Sequence, residues 1–218
     1  MTLGEVRTAA GNQGLLVMGA FHPRTENSDH PNDGTMILLG AGPDFWTRFT
    51  ASDEACDGQP DAIDRWSSRV VSALGAKFGA AALFPFGGPP YAPFINWAQQ
   101  SGRAHTSPTG MLVHDAAGLM ISYRGALHFP DELALPASAS AAPCPDCAGQ
   151  PCAMACPVGA LRATGPYDVA ACHAYLDTAA GQDCMINGCV ARRACPLSAG
   201  AARSSAQSAY HMKAFHPS

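Results

Sequence analysis

The sequence CPDCAGQPCAMACP, at residues 144–157, sets the architecture of the C-terminal third of the chain. Its four cysteines are separated by two, four and three residues, and a proline follows the last of them. A second group begins at Cys172, has gaps of eleven, four and five residues, and ends on Cys195 and another proline. Eight of the nine cysteines thus fall into two groups of four, and only Cys56 lies outside them.

This pattern predicts two [4Fe–4S] clusters. A cubane cluster needs four thiolates at the corners of a tetrahedron, and closely spaced cysteines let one tight loop supply three of them. In two-cluster ferredoxins the cysteine that precedes the proline serves the other cluster, so we expect crossed ligation. The first cluster is expected to use Cys144, Cys147, Cys152 and Cys195, and the second Cys156, Cys172, Cys184 and Cys189.

The gaps differ from the usual ferredoxin spacing of two, two and three residues. The extra residues must bulge without moving the thiolates. Gly149 and Gly188 lie in the enlarged gaps, and glycine permits unusual backbone angles. Beside Cys195, the pair Arg192 and Arg193 has three interpretations: it hydrogen-bonds sulfides, docks an acidic partner, or is a solvated surface pair.

Zinc and disulfide bonds are the alternatives to clusters. Zinc sites use sets of four ligands, often two Cys-x2-Cys pairs or added histidines, and His173 is a candidate ligand beside Cys172. Disulfides would require an oxidising compartment. Residues 1–7 have no signal-peptide pattern, so a cytoplasmic location is expected and favours metal.

Charge and hydropathy exclude several kinds of partner. The formal net charge is −4, and Lys77 and Lys213 are the only lysines, so a nucleic-acid-binding surface is not expected. No run of 18 apolar residues is present, so a membrane partner is not expected either. A redox partner protein is expected instead.

A Pro/Ala/Ser-rich run at residues 135–143 indicates a linker, and we place a domain boundary near Ser138. The fold class is α+β, with domains at 1–138 and 139–218. In the first domain, apolar runs predict strands at 15–21, 35–39 and 80–84. Apolar residues spaced three or four apart predict a helix from Asp61 to Phe78. Residues 111–114 and 119–129 are expected to form a hairpin that turns at 115–118.

The first domain contains candidate cofactor-binding residues. The segment from Phe84 to Phe94 is rich in aromatic residues, glycine and proline, and is either a pocket wall or a packed crossover. Arg124 lies mid-strand among apolar residues and needs an anionic partner, which is either an internal carboxylate or a ligand phosphate. The candidates are Phe86, Gly87, Gly88, Tyr91 and Arg124. No catalytic residue is predicted.

Residues 144–196 resemble the ferredoxin module of epoxyqueuosine reductases and reductive dehalogenases. The two Cys-Pro closures carry the resemblance, together with the lone cysteine that opens a helix in ACHAYL, residues 171–176. The first domain is similar to the corrinoid-binding domain that these enzymes share with cobalamin-processing proteins of the cyanocobalamin-decyanating type. Segments 38–46, 87–91, 110–114 and 118–125 carry this second similarity.

The resemblance implies a nitroreductase-like sheet-and-helix domain, followed by a small ferredoxin-like domain with two clusters and a C-terminal helix. It also implies that cobalamin, or a related flat cofactor, binds the first domain. Epoxyqueuosine reductases carry a Gly-Arg-Asp-Tyr-His stretch whose aspartate is the proposed proton donor. Here GGPPY, at residues 87–91, has no acid, and no helical-repeat extension follows the cysteines, so tRNA modification is not expected.

Four functions fit these features. The first is an iron–sulfur protein that supplies electrons to a corrinoid in its front domain. The second is a plain two-cluster ferredoxin whose front domain only docks a partner. The third is a reductase that processes cobalamin or reduces a small organic substrate. The fourth is a protein in which the clusters, or zinc, are purely structural.

Overall fold

The computed structural model of the protein describes residues 1–24, 30–137 and 141–217. The fold is mixed α+β, as the sequence predicts, and divides into two compact units. The first unit comprises Met1–Arg103 together with Ser122–Ser140, and the second comprises Ala104–Ile121 together with Ala141–Ser218. Within the described residues, no helix has the length and apolar character that crossing a membrane requires.

The first unit is an antiparallel sheet packed against helices. Its strands are β1 (Leu15–Phe21), β2 (Thr35–Ala41), β3 (Ala81–Leu83) and β6 (Tyr123–Phe129), in the order β1-β2-β6-β3. Its helices are α1 (Leu3–Gly11), α2 (Phe45–Thr50), α3 (Asp53–Cys56), α4 (Ala62–Phe78) and α5 (Phe94–Gln100).

Helix α4 forms where the apolar spacing predicts it. It ends at Gly79, whose left-handed φ of +69° is a common way for a helix to stop. Its buried face packs with α1 and one face of the sheet around large apolar side chains. Among these, the rings of Phe45 and Trp66 meet edge to face at 5.2 Å. This continuous core supports the first unit without any help from cysteines.

The predicted hairpin of residues 111–114 with 119–129 is wrong. The turn itself exists, because His114 and Gly118 exchange two backbone hydrogen bonds of 2.9 Å. However, β6 pairs with β2 and β3 in the first unit, whereas residues 112–114 pair with an earlier strand of the second unit. A local turn signal locates a reversal of the chain but does not specify which strands pair beyond it.

The second unit combines a small hairpin with short helices. The hairpin consists of β4 (Ala104–Thr106) and β5 (Leu112–His114). The helices are α6 (Pro151–Met154), α7 (Val169–Leu176), α8 (Gln182–Asn187), α9 (Val190–Ala194) and α10 (Ser205–Phe215), with a 3-10 helix at Pro196–Ala201.

The boundary predicted near Ser138 lies outside the described residues. The structure groups residues 104–121 with the cysteine-rich segment, whereas a boundary near Ser138 predicts that they belong to the first domain. The unit that carries the cysteines therefore includes a hairpin that lies about 30 residues before them in the sequence.

Candidate metal centres

A tight loop presents the first three cysteines. The Cys147 amide donates a hydrogen bond to the Cys144 carbonyl over 3.2 Å. Gly149 and Gln150 then adopt left-handed backbone, with φ of +69° and +40°, and turn the chain into α6, which carries Cys152. The enlarged gap is thus absorbed by two residues with positive φ. The unusual backbone expected at Gly149 is confirmed, and Gly188 likewise has a φ of +87°.

The first cavity of the second unit has a volume of about 310 Å³ and is lined by four cysteines. Three of them come from the first group, and the fourth, Cys195, comes from the second group. Val113 and Leu119 also line the cavity and are almost fully buried. The cysteines at the cavity are Cys144, Cys147, Cys152 and Cys195.

A second cavity, of about 20 Å³, is lined by the other four cysteines. Cys156 comes from the end of the first group, and the remaining three come from α7, α8 and the α8–α9 connection. Apolar side chains, including Leu176 and Met212, surround them. The cysteines at this cavity are Cys156, Cys172, Cys184 and Cys189.

The structure therefore brings together the two sets of four that the sequence predicts. Each sequence group contributes its last cysteine, the one that precedes proline, to the cavity of the other group: Cys156 lies with the second set, and Cys195 lies with the first. Each Cys-Pro pair directs its thiol away from the loop that precedes it. Ligation of a cluster by these sets stays a prediction.

Burial makes these thiols hard to ionise. It is the main cause that raises the pKa of the Cys144, Cys152, Cys172 and Cys184 thiols. For Cys144, the neighbouring thiols of the same cavity raise the pKa further. Among the described residues, no Lys, Arg or His lines either cavity to stabilise a thiolate. A bound metal centre would supply that positive charge and displace the protons.

Sulfur donors of this kind suit iron–sulfur clusters or zinc. In the part of the chain that the structure describes, no three His, Cys, Asp or Glu side chains converge closely enough to share one metal ion. The thiols surround cavities instead, and the first cavity has room for a cubane. The second cavity has about the volume of one water molecule and must widen to hold a cubane cluster.

Tyr167 is a site residue that sequence reasoning missed. Its side chain lines the second cavity together with Cys172. Burial, together with the influence of the neighbouring Cys172 side chain, raises the pKa of Tyr167 above its usual range. No pattern in the sequence places a tyrosine five residues before a cysteine at the same cavity.

The polar residues suspected near the cysteines have other partners. Arg192 donates to the Leu119 carbonyl over 3.0 Å, and Arg193 donates to the Gly188 carbonyl over 3.0 Å and pairs with Asp183. Both arginines therefore hold the second unit together. The Nδ1 atom of His173 lies 2.5 Å from Nδ1 of His216.

The candidate cofactor residues of the front unit lie in two places. Phe86 stacks on Phe84 with a centroid distance of 5.3 Å. Tyr91 is 64% exposed, and Gly87 is exposed as well. A Cβ atom at Gly88 would lie 2.5 Å from the Tyr91 nitrogen, so the fold of the loop itself requires glycine there.

Arg124 occupies a β-bulge, because Leu39 pairs with Gly125 whereas Gly40 pairs with Tyr123. The bulge points the side chain at α4, where Nη1 lies 3.3 Å from Oδ1 of Asp64. Burial is the largest influence on both groups: it lowers the pKa of Arg124 and raises that of Asp64 despite their attraction. The anionic partner predicted for Arg124 is thus an internal carboxylate.

Comparison with known proteins does not assign the chain to a family. No protein-family model matches the chain, and no curated protein matches it.

Proposed function

We propose that this protein transfers single electrons through two [4Fe–4S] clusters held in its second unit. One observation carries the proposal: eight cysteines surround two separate apolar cavities in sets of four, and each set includes the Cys-Pro cysteine of the other group. A bound cluster supplies the redox chemistry. The chain supplies the thiolates, the apolar surroundings that exclude water, and the hydrogen bonds that adjust the potential.

The chain also limits how far apart the clusters lie. Cys152 and Cys156 belong to different sets but are separated by three residues. Even a fully extended chain would place their Cα atoms no more than about 14 Å apart. This short distance favours direct electron transfer from one cluster to the other, which suits a carrier that accepts an electron at one site and delivers it at the other.

The test is the metal content of anaerobically reconstituted protein. We expect close to eight irons and eight sulfides per chain, and a broad absorbance near 400 nm that dithionite bleaches. Cys56→Ser is the matched control, because Cys56 is exposed and outside both sets, and it should leave the iron content unchanged. Zinc as the only metal, or about four irons per chain, would contradict the proposal.

The finer assignments rest on the family resemblance. We propose a nitroreductase-like front unit, a ferredoxin-like second unit, a redox partner protein and a cytoplasmic location, where thiols stay reduced. That cobalamin or a flavin binds the first unit stays a prediction. The pairing of Arg124 with Asp64 speaks against it, because the guanidinium that could bind a ligand phosphate already has an anionic partner. Titration of the full chain with cob(II)alamin and with flavin tests it, and binding of neither at tens of micromolar rejects it.

A further inference from the structure

One face of the β4–β5 hairpin is turned toward the first set of cysteines. In the antiparallel pair, His105 lies directly opposite Val113, so both side chains project from the same face. Val113 packs with Leu119, Cys152 and Cys195 and lines the first cavity. Because side chains alternate along a strand, Ser107, two residues after His105, belongs to this face and lines the cavity too.

His105 carries an unsatisfied polar atom on this face. Its Nε2 is buried and has no hydrogen-bond partner among the described residues. A buried imidazole nitrogen without a hydrogen bond lowers the stability of the fold, so buried polar atoms of this kind usually have a hydrogen-bond partner. His105 does not itself line the first cavity, but it shares this face of the hairpin with Val113 and Ser107, which do.

We propose that Nε2–H of His105 donates a hydrogen bond to a sulfur of the first cluster, either a ligating thiolate or a bridging sulfide. The inference rests on the proposed function, since the acceptor exists only when the cluster is bound. An N–H donor stabilises negative charge on sulfur, and the reduced cluster carries one negative charge more than the oxidised cluster. His105 therefore raises the reduction potential of the first cluster and leaves that of the second unchanged.

Pulsed EPR on the unaltered protein tests the contact directly. The full chain is labelled with histidine that carries ¹⁵N only in the imidazole ring, so that the backbone amide of His173, next to Cys172, gives no signal. It is then reconstituted anaerobically and reduced with dithionite. We expect a ¹⁵N coupling to one of the two reduced clusters, transmitted through the N–H···S bond. This measurement needs no variant, so it remains informative even where a substitution at this buried position prevents folding.

Variants test the effect on potential. His105→Leu removes the donor and should shift one of the two potentials to a more negative value, whereas His105→Gln keeps an N–H donor and should restore most of the shift. His128→Gln is the control, because Nε2 of His128 lies in the first unit, 3.0 Å from the Asp33 carbonyl, and its replacement should move neither potential.

The outcomes separate the two proposals. A wild-type chain that binds no iron overturns the proposed function, and this inference with it. A chain with eight irons that shows no ¹⁵N coupling overturns the role of His105 alone. The same holds if His105→Leu retains eight irons with both potentials unchanged.

Discussion

The proposed crossed ligation depends on two residues, Cys156 and Cys195, and double variants can test it. If Cys195 and Cys144 hold the same cluster, replacing both with alanine should remove about four irons and spare the other cluster. Replacing Cys195 and Cys184 should remove both clusters, because those cysteines line different cavities. Iron analysis and EPR of the two double variants decide between the arrangements.

The opposite pattern would refute the crossing. If each cluster used only cysteines adjacent in sequence, Cys195 and Cys184 would share a cluster, and their double variant would keep about four irons. Replacement of Cys56, which is exposed and belongs to neither set, shows how much iron is lost through handling alone.

Single residues also show what the sequence determines and what it leaves open. The cysteine sets could be predicted from the two Cys-Pro pairs, because in two-cluster ferredoxins the cysteine before the proline serves the other cluster. The sequence left two partners open for Arg124, and the structure supplies Asp64, 60 residues away. Pairings of this kind depend on the strand register, which no local pattern encodes.

The same contrast holds for helices and strands: features encoded within one element could be predicted, and pairings between distant elements could not. Helix α4 (Ala62–Phe78) could be predicted because the apolar spacing that defines it lies entirely within its own residues. Strand β6 (Tyr123–Phe129) was assigned the wrong partner because its pairing with β2 crosses about 90 residues of chain. The contribution of the β4–β5 hairpin to the first cavity was missed for the same reason.

Substitution of Gly118 tests how the β4–β5 hairpin is attached to the cysteine-rich segment. Its φ is +55°, and an added Cβ would lie 2.4 Å from the Ser198 nitrogen. Gly118→Ala should therefore reduce the free energy of unfolding by roughly 2–3 kcal/mol, through backbone strain plus a backbone clash. Gly110→Ala, with a φ of +78° and open space around the added Cβ, should cost only about 1 kcal/mol.

Denaturant unfolding of the two reconstituted variants measures this difference. Gly118→Ala should also lower the iron content by up to half, because the clash moves the hairpin that lines the first cavity and leaves the second set of cysteines in place. Equal effects of the two substitutions on stability would show that the contact with Ser198 is not a constraint.

At the scale of the molecule, the two units depend on different sources of stability. The first unit buries a continuous core of large side chains, including Phe45, Phe49 and Trp66. The buried apolar clusters described in the second unit are small, and cysteines make up a large part of each. If these cysteines hold the proposed clusters, the second unit gains much of its folding free energy from the metal.

Removal of the clusters should therefore unfold the second unit and leave the first unit folded. After the clusters are oxidised and their iron is chelated, hydrogen exchange followed by mass spectrometry should show full exchange in residues 144–217. Peptides from α4 and β2 should keep their protection, because their hydrogen bonds and core contain no metal ligand. The Cys56→Ser chain, treated identically, controls for oxidation of the exposed thiol. Protection that persists in residues 144–217 would show that this unit folds without metal, and loss of protection in both units would show that they unfold as one.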